Sequence, residues 1–309
     1  MRIIVTAPPP NRSHWSSVLP KELMASGSEK VYCGQLLTQS HGVVGGHGTR
    51  DSKNRLLASV CGSKVQHSCL IQIQPRREKY HPRVGDVVVG RIVRVRKAQW
   101  MVDINHRMDA VLHLYNTNLP GGALRRKNAA DEVFMREHLR VGDLVCAEVQ
   151  QVRGKGQAIL HTRNLRHGKL GQGIMVKVWP TLVKQQRQHM HEMLGLGVIL
   201  GCNGIIWISS ILFDHFNGGY AEDLSWVISR EKRHRMVRLA ACIRMLANNL
   251  ICIYDISVQA AYLASRDYEI KDLALPQVQA SLLPTIVEMI MAEEKRRLGI
   301  RDREKQEAP

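Results

Sequence analysis

The stretch VGDVVVGRIVRV at residues 84–95 returns downstream as VGDLVCAEVQQV at 141–152. Each copy opens on Val-Gly-Asp, a turn signal, and then alternates apolar residues, so each reads as a turn that starts a β-strand with every second side chain facing inward. Working outward, QWMVDIN (99–105), MDAVLHL (108–114) and QAILHT (157–162) add three strand-like runs, giving five between His81 and Thr162. A longer insertion separates the third from the fourth. Five short strands in about 80 residues, with a loop-plus-helix insert before the fourth, predict a five-stranded OB barrel, a fold that commonly holds single-stranded nucleic acid on one face.

Upstream, residues 1–30 carry Pro8, Pro9, Pro10 and Pro20 among Ser and Asn, a composition unable to bury enough apolar surface to order itself, so a flexible arm is expected. Residues 31–79 turn to short β-prone runs, VYCGQLL, LLASVCG and CLIQIQ, broken by GVVGGHGT, and predict a small β domain of hairpins. No G-K-[ST] follows those glycines and no helix pattern begins there, so they read as a turn and not as a nucleotide loop. The barrel is assigned to residues 80–165. From 166 to 299 the chain reads as an α/β domain: GIMVKVWP, GVILG and IIWIS are strands, and EKRHRMVRLAACIRMLANNL (231–250) has the apolar spacing of one amphipathic helix. Shorter helices are expected near Ser257–Arg266 and from Pro284 to Arg297, before a charged tail at 300–309 that should fray. The fold class is thus multidomain β and α/β.

With 44 Lys+Arg against 27 Asp+Glu, the chain's formal charge of +17 favours a polyanionic partner. No 18-residue apolar run offers a membrane span, and the N-terminus lacks a secretory pattern, so an intracellular protein is expected. Seven cysteines without a C-x-x-C pair argue for reduced, mostly buried thiols, and His189, His191 and Glu192 match no metal-ligand spacing, so no cofactor or metal is expected.

An OB binding face combines cations that follow the nucleic-acid backbone with planar side chains on which bases stack. Arg91 and Arg94 on the first strand, Trp100 on the second and His113 on the third, beside Tyr115, supply those parts. Trp100 has a second reading, as the large filler that a small barrel needs. Arg125, Arg126 and Lys127 in the insert offer three adjacent cations for phosphate, and Arg163 and Lys169 extend the set beyond the fifth strand. Gly201, Asn203 and Gly204 of the tetrapeptide GCNG have the G-x-x-G form with which KH modules clamp a nucleic-acid backbone. That loop also admits a structural reading, because it lies between apolar strands and carries no cation. Carboxylates do not cluster as a two-metal nuclease requires, and no nucleophile elbow or Cys-His motif occurs in a suitable setting, so the chain is not expected to be an enzyme.

Taken together, GGHGT (45–49), VGDVVVGRI, NLPGGALRRK (118–127), LHTRNLRHGKLGQG (160–173) and GCNGIIWIS (201–209) resemble the family of ribosomal-RNA-processing protein four, the S1/KH-domain cap subunits of the eukaryotic RNA exosome. The resemblance runs from about Val31 past Ser209. It implies an N-terminal β docking domain, an S1-type OB barrel and a KH domain. It also implies a non-catalytic role guiding RNA for 3′-to-5′ processing and degradation, including rRNA maturation. The partners it implies are single-stranded RNA, six RNase PH-like ring subunits, two other cap subunits and associated 3′-to-5′ ribonucleases, in nucleus, nucleolus and cytoplasm. Gly46, His47, Gly48 and Thr49 would then belong to the domain that docks on the ring, and Arg125, Arg126 and Lys127 would face the pore. The competing reading is a stand-alone OB/KH RNA-binding regulator.

Overall fold

The computed structural model describes residues 29–39, 42–75, 78–118, 129–154, 156–164, 166–210 and 227–307. The arm before residue 29 and the Arg125–Lys127 triplet lie outside them. The chain divides into two compact units at Glu78/Lys79.

The first unit holds β1 (Lys30–Val31), β2 (Leu36–Gln39), β3 (Val44–Gly45), β4 (Thr49–Ser52), β5 (Arg55–Ala58), β6 (Gly62–His67) and β7 (Leu70–Gln74). They form two sheets, ordered β1-β6-β7-β3 and β2-β5-β4. β4 and β5 are joined by Lys53 and Asn54, both at positive φ (49° and 62°), the backbone a two-residue hairpin turn requires. The core is small: Val31, Ala58 and Ile73 form its centre. A core this size cannot also take in the cysteines, and Cys33, Cys61 and Cys69 are exposed, a correction to the expectation of mostly buried thiols; Cys146, Cys242 and Cys252 are buried, and none of the seven is in a disulfide.

The second unit begins with β8 (Val87–Arg96), β9 (Gln99–Asp103), β10 (Ala110–Thr117), helix α1 (Ala129–His138), β11 (Leu144–Val152) and β12 (Ala158–Thr162). β8 pairs antiparallel with β9 and β11, β9 with β10, and β11 with β12, while β10 and β12 run parallel, which closes the ring of five strands. This is the expected OB barrel, with the helix in the insert. Its interior is filled by Val88, Ile92, Trp100, Val102, Ile104, Leu112, Leu114, Val145, Val149 and Leu160, and Met135 and Leu139 close it from the α1 end. Gly90 lets the strands cross closely, since a Cβ there would overlap Val102.

The repeated Val-Gly-Asp has a physical explanation. Gly85 and Gly142 take φ of 89° and 98°, a left-handed conformation that glycine adopts without steric cost. Asp86 accepts from the Arg83 amide (3.1 Å), and Asp143 accepts from the Arg140 amide (2.9 Å). The Gly85 amide donates to Val149 O and the Gly142 amide to Ile92 O (2.9 and 2.8 Å), so one turn design fastens both ends of the paired β8 and β11.

After β13 (Gly168–Lys169), strands β14 (Gly173–Lys177), β15 (Met190–Met193), β16 (Leu196–Leu200) and β17 (Ile205–Ser209) form an antiparallel sheet ordered β14-β17-β16-β15. Helices α2 (Arg230–Asn248), α3 (Asp255–Ala264) and α4 (Pro276–Glu307) follow. α2 packs on β14 and β17, and α3 packs between α2 and α4. Arg238 of α2 donates to the carbonyls of Ser265, Arg266 and Tyr268, closing the end of α3 with a charged side chain. α4 is longer than expected at both ends. Pro276 takes the first-turn position that Pro284 was assigned, and Pro284 sits inside the helix. Burial of Leu282, Leu283, Ile286, Val287 and Ile290 around it offsets the lost backbone bond. The tail expected to fray continues α4 to Glu307, consistent with the helix propensity of its Arg, Glu, Lys and Gln residues.

Candidate nucleic-acid interface

Strand alternation sorts the barrel's side chains. On β9 and β10 the even positions Trp100, Val102, Leu112 and Leu114 face the core. The odd ones, Gln99, Met101, Val111, His113 and Tyr115, therefore face out. Register lines them up: Gln99 pairs with His113 and Met101 with Val111, and on the other side Arg96 pairs with Gln99 and Arg94 with Met101. Beyond β10, Val111 pairs with Ile159, which brings His161 of β12 to the same face. An outer stripe thus runs from the exposed Arg96 through the half-buried Gln99 to His113 beside Tyr115, while in the next row Met101 and Val111 are buried between the exposed Arg94 and the His161 side.

The planar element of this stripe is a pair. The His113 and Tyr115 rings stack with centroids 4.9 Å apart and 14° between planes, and Tyr115 is 68% exposed. Burial, with the charge of Arg153 adding to it, lowers the His113 pKa, and burial likewise lowers that of His161. Both imidazoles are held toward the neutral form, which suits a stacking surface with cations at its margins. Arg163 is exposed at the end of β12, its guanidinium donating to Asn116 Oδ1 (3.2 Å), while Asn116 Nδ2 donates to Gln150 Oε1 (2.7 Å). Asn118 ties the start of the insert to this corner, through Thr162 Oγ1 (3.2 Å) and Arg163 O (2.9 Å). Arg91 is exposed on β8 opposite Asp103 and Leu144.

Three of the expected binding elements have other roles. Trp100 is fully buried, with Nε1–H donating to Leu139 O at 3.2 Å, so it fills the barrel and presents no face to a base. The Lys169 ammonium is 2.8 Å from Asp143, holding β13 against the second Val-Gly-Asp turn. Gly201, Asn203 and Gly204 form the joint between barrel and sheet and not a clamp on RNA. Asn203 is fully buried; its Nδ2 donates to Val89 O (2.7 Å) and Ile104 O (3.1 Å), and its Oδ1 accepts from the Val89 amide (3.4 Å). The Cys202 amide donates to Val87 O at 2.9 Å. Gly204 has φ of 78°, and a Cβ there would overlap Val178 O, as one on Gly201 would overlap Ile205 O. Around this loop Val89 and Cys146 of the barrel meet Ile199, Ile205 and Trp207 of the sheet in one apolar cluster.

Gly46, His47, Gly48 and Thr49 fasten the two sheets of the first unit. Gly46 N–H donates to Ile71 O, Ile73 N–H to His47 O and Ser59 N–H to Gly48 O, at 2.8 to 2.9 Å. The Thr49 hydroxyl donates to Gly46 O at 2.7 Å. The His47 ring is exposed, 2.7 Å from Glu78. Arg96 and His161 are the residues of this face that the sequence pattern alone did not single out; strand pairing is the signal that places them there.

Beside this surface His167 is buried, and its burial, followed by the nearby His161, pushes its pKa down to about 4. In the unfolded chain an imidazole takes its proton near 6.5. Between those values the unfolded state binds more protons, so stability falls as pH drops from about 6.5 to 4, by up to about 3 kcal/mol. Chemical denaturation at pH 7 and pH 4.5 should show that loss. In a His167→Gln variant the pH dependence should be clearly flatter; an equal dependence would rule out His167 as its source.

The family description "RRP4, S1 domain" matches residues 79–151, and "KH domain" matches 173–211. Among curated relatives, exosome complex component RRP4 of Bos taurus is 42% identical over 272 residues, covering 87% of this chain and 89% of its own length. The RRP4 homolog of Caenorhabditis elegans is 39% identical over 80% of this chain and 83% of its own length. RRP4 of Saccharomyces cerevisiae is 42% identical over 59% of this chain and 51% of its own length.

Proposed function

Because the chain belongs to the family of exosome complex component RRP4, we propose that it is a non-catalytic RNA-binding cap subunit of the exosome, contributing an S1 face that holds single-stranded RNA for 3′-to-5′ processing and degradation, rRNA maturation included. Its partners are RNA and other components of the exosome complex. The finer assignment of partners is part of the same reading: six RNase PH-like ring subunits, two other cap subunits and associated 3′-to-5′ ribonucleases, met in nucleus, nucleolus and cytoplasm. Gly46 to Thr49 belong to the unit that docks on the ring, and Arg125, Arg126 and Lys127 lie on the RNA path.

The observation that carries the RNA-binding part is the outer stripe of the barrel. Arg94 and Arg96 supply charge for the phosphates, and the stacked His113–Tyr115 pair supplies a flat surface for bases. No side chain of the stripe is committed to reading one base, so the binding expected is tolerant of sequence, with affinity set by backbone charge and stacking. Stacking of one base on an aromatic ring is worth about 1–3 kcal/mol by alanine substitution. Tyr115→Ala should therefore weaken binding of a fluorescent single-stranded RNA by about tenfold, read by anisotropy at fixed salt. Full affinity in that variant would remove the stripe from the RNA path.

A further inference from the structure

Helix α2 opens with Arg230-Glu-Lys-Arg-His-Arg235, and all six residues are exposed. The helix buries a face only from Met236 onward, through Leu239, Ala240, Ile243 and Leu246. Its first turn and a half therefore adds no core to the domain. Arg230, Lys232, Arg233 and Arg235 place four cations there against one carboxylate, Glu231, which lies 3.8 Å from Arg235.

Ser229 caps this helix start and Glu231 suits its first turn and pairs with Arg235, but the placing of the cations runs against local rules. Cations in a first turn face the positive end of the helix dipole, unfavourable by about 0.3–1 kcal/mol apiece. Arg230 with Arg233 and Lys232 with Arg235 are i,i+3 neighbours of like charge, which repel. A surface built for solubility mixes both signs, and a segment that breaks local rules without gaining packing marks a functional surface. The contrast with Arg238 is direct: that guanidinium, further along the same helix, turns inward to cap α3.

We infer that the exposed start of α2, carried by Arg230, Lys232, Arg233 and Arg235, is a second phosphate-binding surface for the RNA strand, separate from the barrel stripe. This rests on the RNA-binding reading above. A run of phosphates reverses both penalties at once, because polyanion charge complements the cations and the dipole together. Three of the four cations are guanidinium groups, whose planar fork pairs phosphate oxygens two at a time. The G-x-x-G loop of the KH half cannot serve instead, since it is spent on the barrel.

Placement makes the surface distinct. Met175 and Trp207 turn toward the barrel, so the alternate residues of β14 and β17 face the opposite side, where α2 packs. A strand held on the barrel stripe alone covers about 4–16 nucleotides, so a longer RNA is the one expected to engage both surfaces.

The test uses the full chain with two fluorescent single-stranded RNAs, of about 10 and about 40 nucleotides, titrated across a salt series. The comparison is wild type against R230A/K232A/R233A/R235A. Alanine is the best helix former, so these exposed changes keep the helix, which circular dichroism checks. The variant should lose about tenfold or more in affinity for the long RNA at low salt, and the magnitude of its salt slope should fall by about 3, near 0.7 for each phosphate that is no longer neutralised. Its affinity for the short RNA should change far less. Equal affinity and slope on the long RNA would overturn the inference while leaving the barrel reading intact. So would unchanged RNA binding combined with loss of co-purifying exosome subunits, which would make the patch a protein-docking face. A wild-type chain that binds neither RNA, while Tyr115→Ala also changes nothing, would sink the barrel reading and this one with it.

Discussion

Trp100→Ala is expected to destabilise the barrel by about 4 kcal/mol, within the range for deleting a buried aromatic side chain. The indole is fully buried among Val102, Leu112 and Leu160 and is tied to the last turn of the insert through Leu139 O. Removing it leaves a cavity and an unpaired carbonyl together. Trp100→Phe separates the two effects: the ring volume is largely kept, the N–H bond is lost, and the cost should fall to about 1–2 kcal/mol. The same variant distinguishes filler from platform. Per folded molecule, Trp100→Phe should bind single-stranded RNA like the wild type, whereas Tyr115→Ala should not. Denaturant midpoints and anisotropy titrations on the same preparations provide both readings. A Trp100→Phe protein of unchanged stability and weakened RNA affinity would return Trp100 to the binding face.

Asn203→Ala should cost a similar amount, about 4 kcal/mol, for a different reason. The side-chain amide of Asn203 completes β8 as a missing strand would, accepting from Val89 N–H and donating to Val89 O and Ile104 O. Truncation leaves these three backbone groups without those bonds, each worth about 1–3 kcal/mol when buried and unmade. The loss falls at the joint, so the barrel and the sheet should also become less cooperative. Two separated unfolding transitions in place of one are expected, followed by tryptophan fluorescence and by circular dichroism. Asn203→Asp is a sharper probe, because a carboxylate can still accept from Val89 N–H but sets a negative charge against two carbonyl oxygens. It should be at least as damaging as the alanine. A single transition at the wild-type midpoint in both variants would show that the loop does not hold the two parts together.

The barrel was legible in the sequence because its determinants are local. Val84-Gly85-Asp86 and Val141-Gly142-Asp143 each encode a complete turn, and the strands after them alternate with period two. The inward side of Trp100 was also present in the pattern: its neighbours Val102 and Ile104 are apolar at the same parity, while Gln99 and Asp103 are polar. Applying that parity keeps Tyr115 on the outer face and removes Trp100 from it. The role of Asn203 could not be read in this way, since its partners Val89 and Ile104 lie 114 and 99 residues earlier. A G-x-N-G loop looks the same whether its amide faces an RNA or a strand. The ion pair of Lys169 is hidden from the sequence on similar grounds, because an isolated cation gives no sign of the Asp143 carboxylate that folding brings to it. At Pro284 a strong local signal for a helix start was overridden by tertiary burial on both sides of the proline.

As an RNA-binding cap of the exosome, this chain should be found in cells bound to the rest of the complex. The most direct measurement is to isolate the tagged, full-length protein from its own cells at moderate salt and identify by mass spectrometry what accompanies it in near-equimolar amounts. A cap subunit should bring with it six RNase PH-like proteins and two further S1-type subunits, with RNA bound to the assembly. Recovery of the chain alone, or with RNA and none of those proteins, would contradict the claim and favour a stand-alone OB/KH regulator.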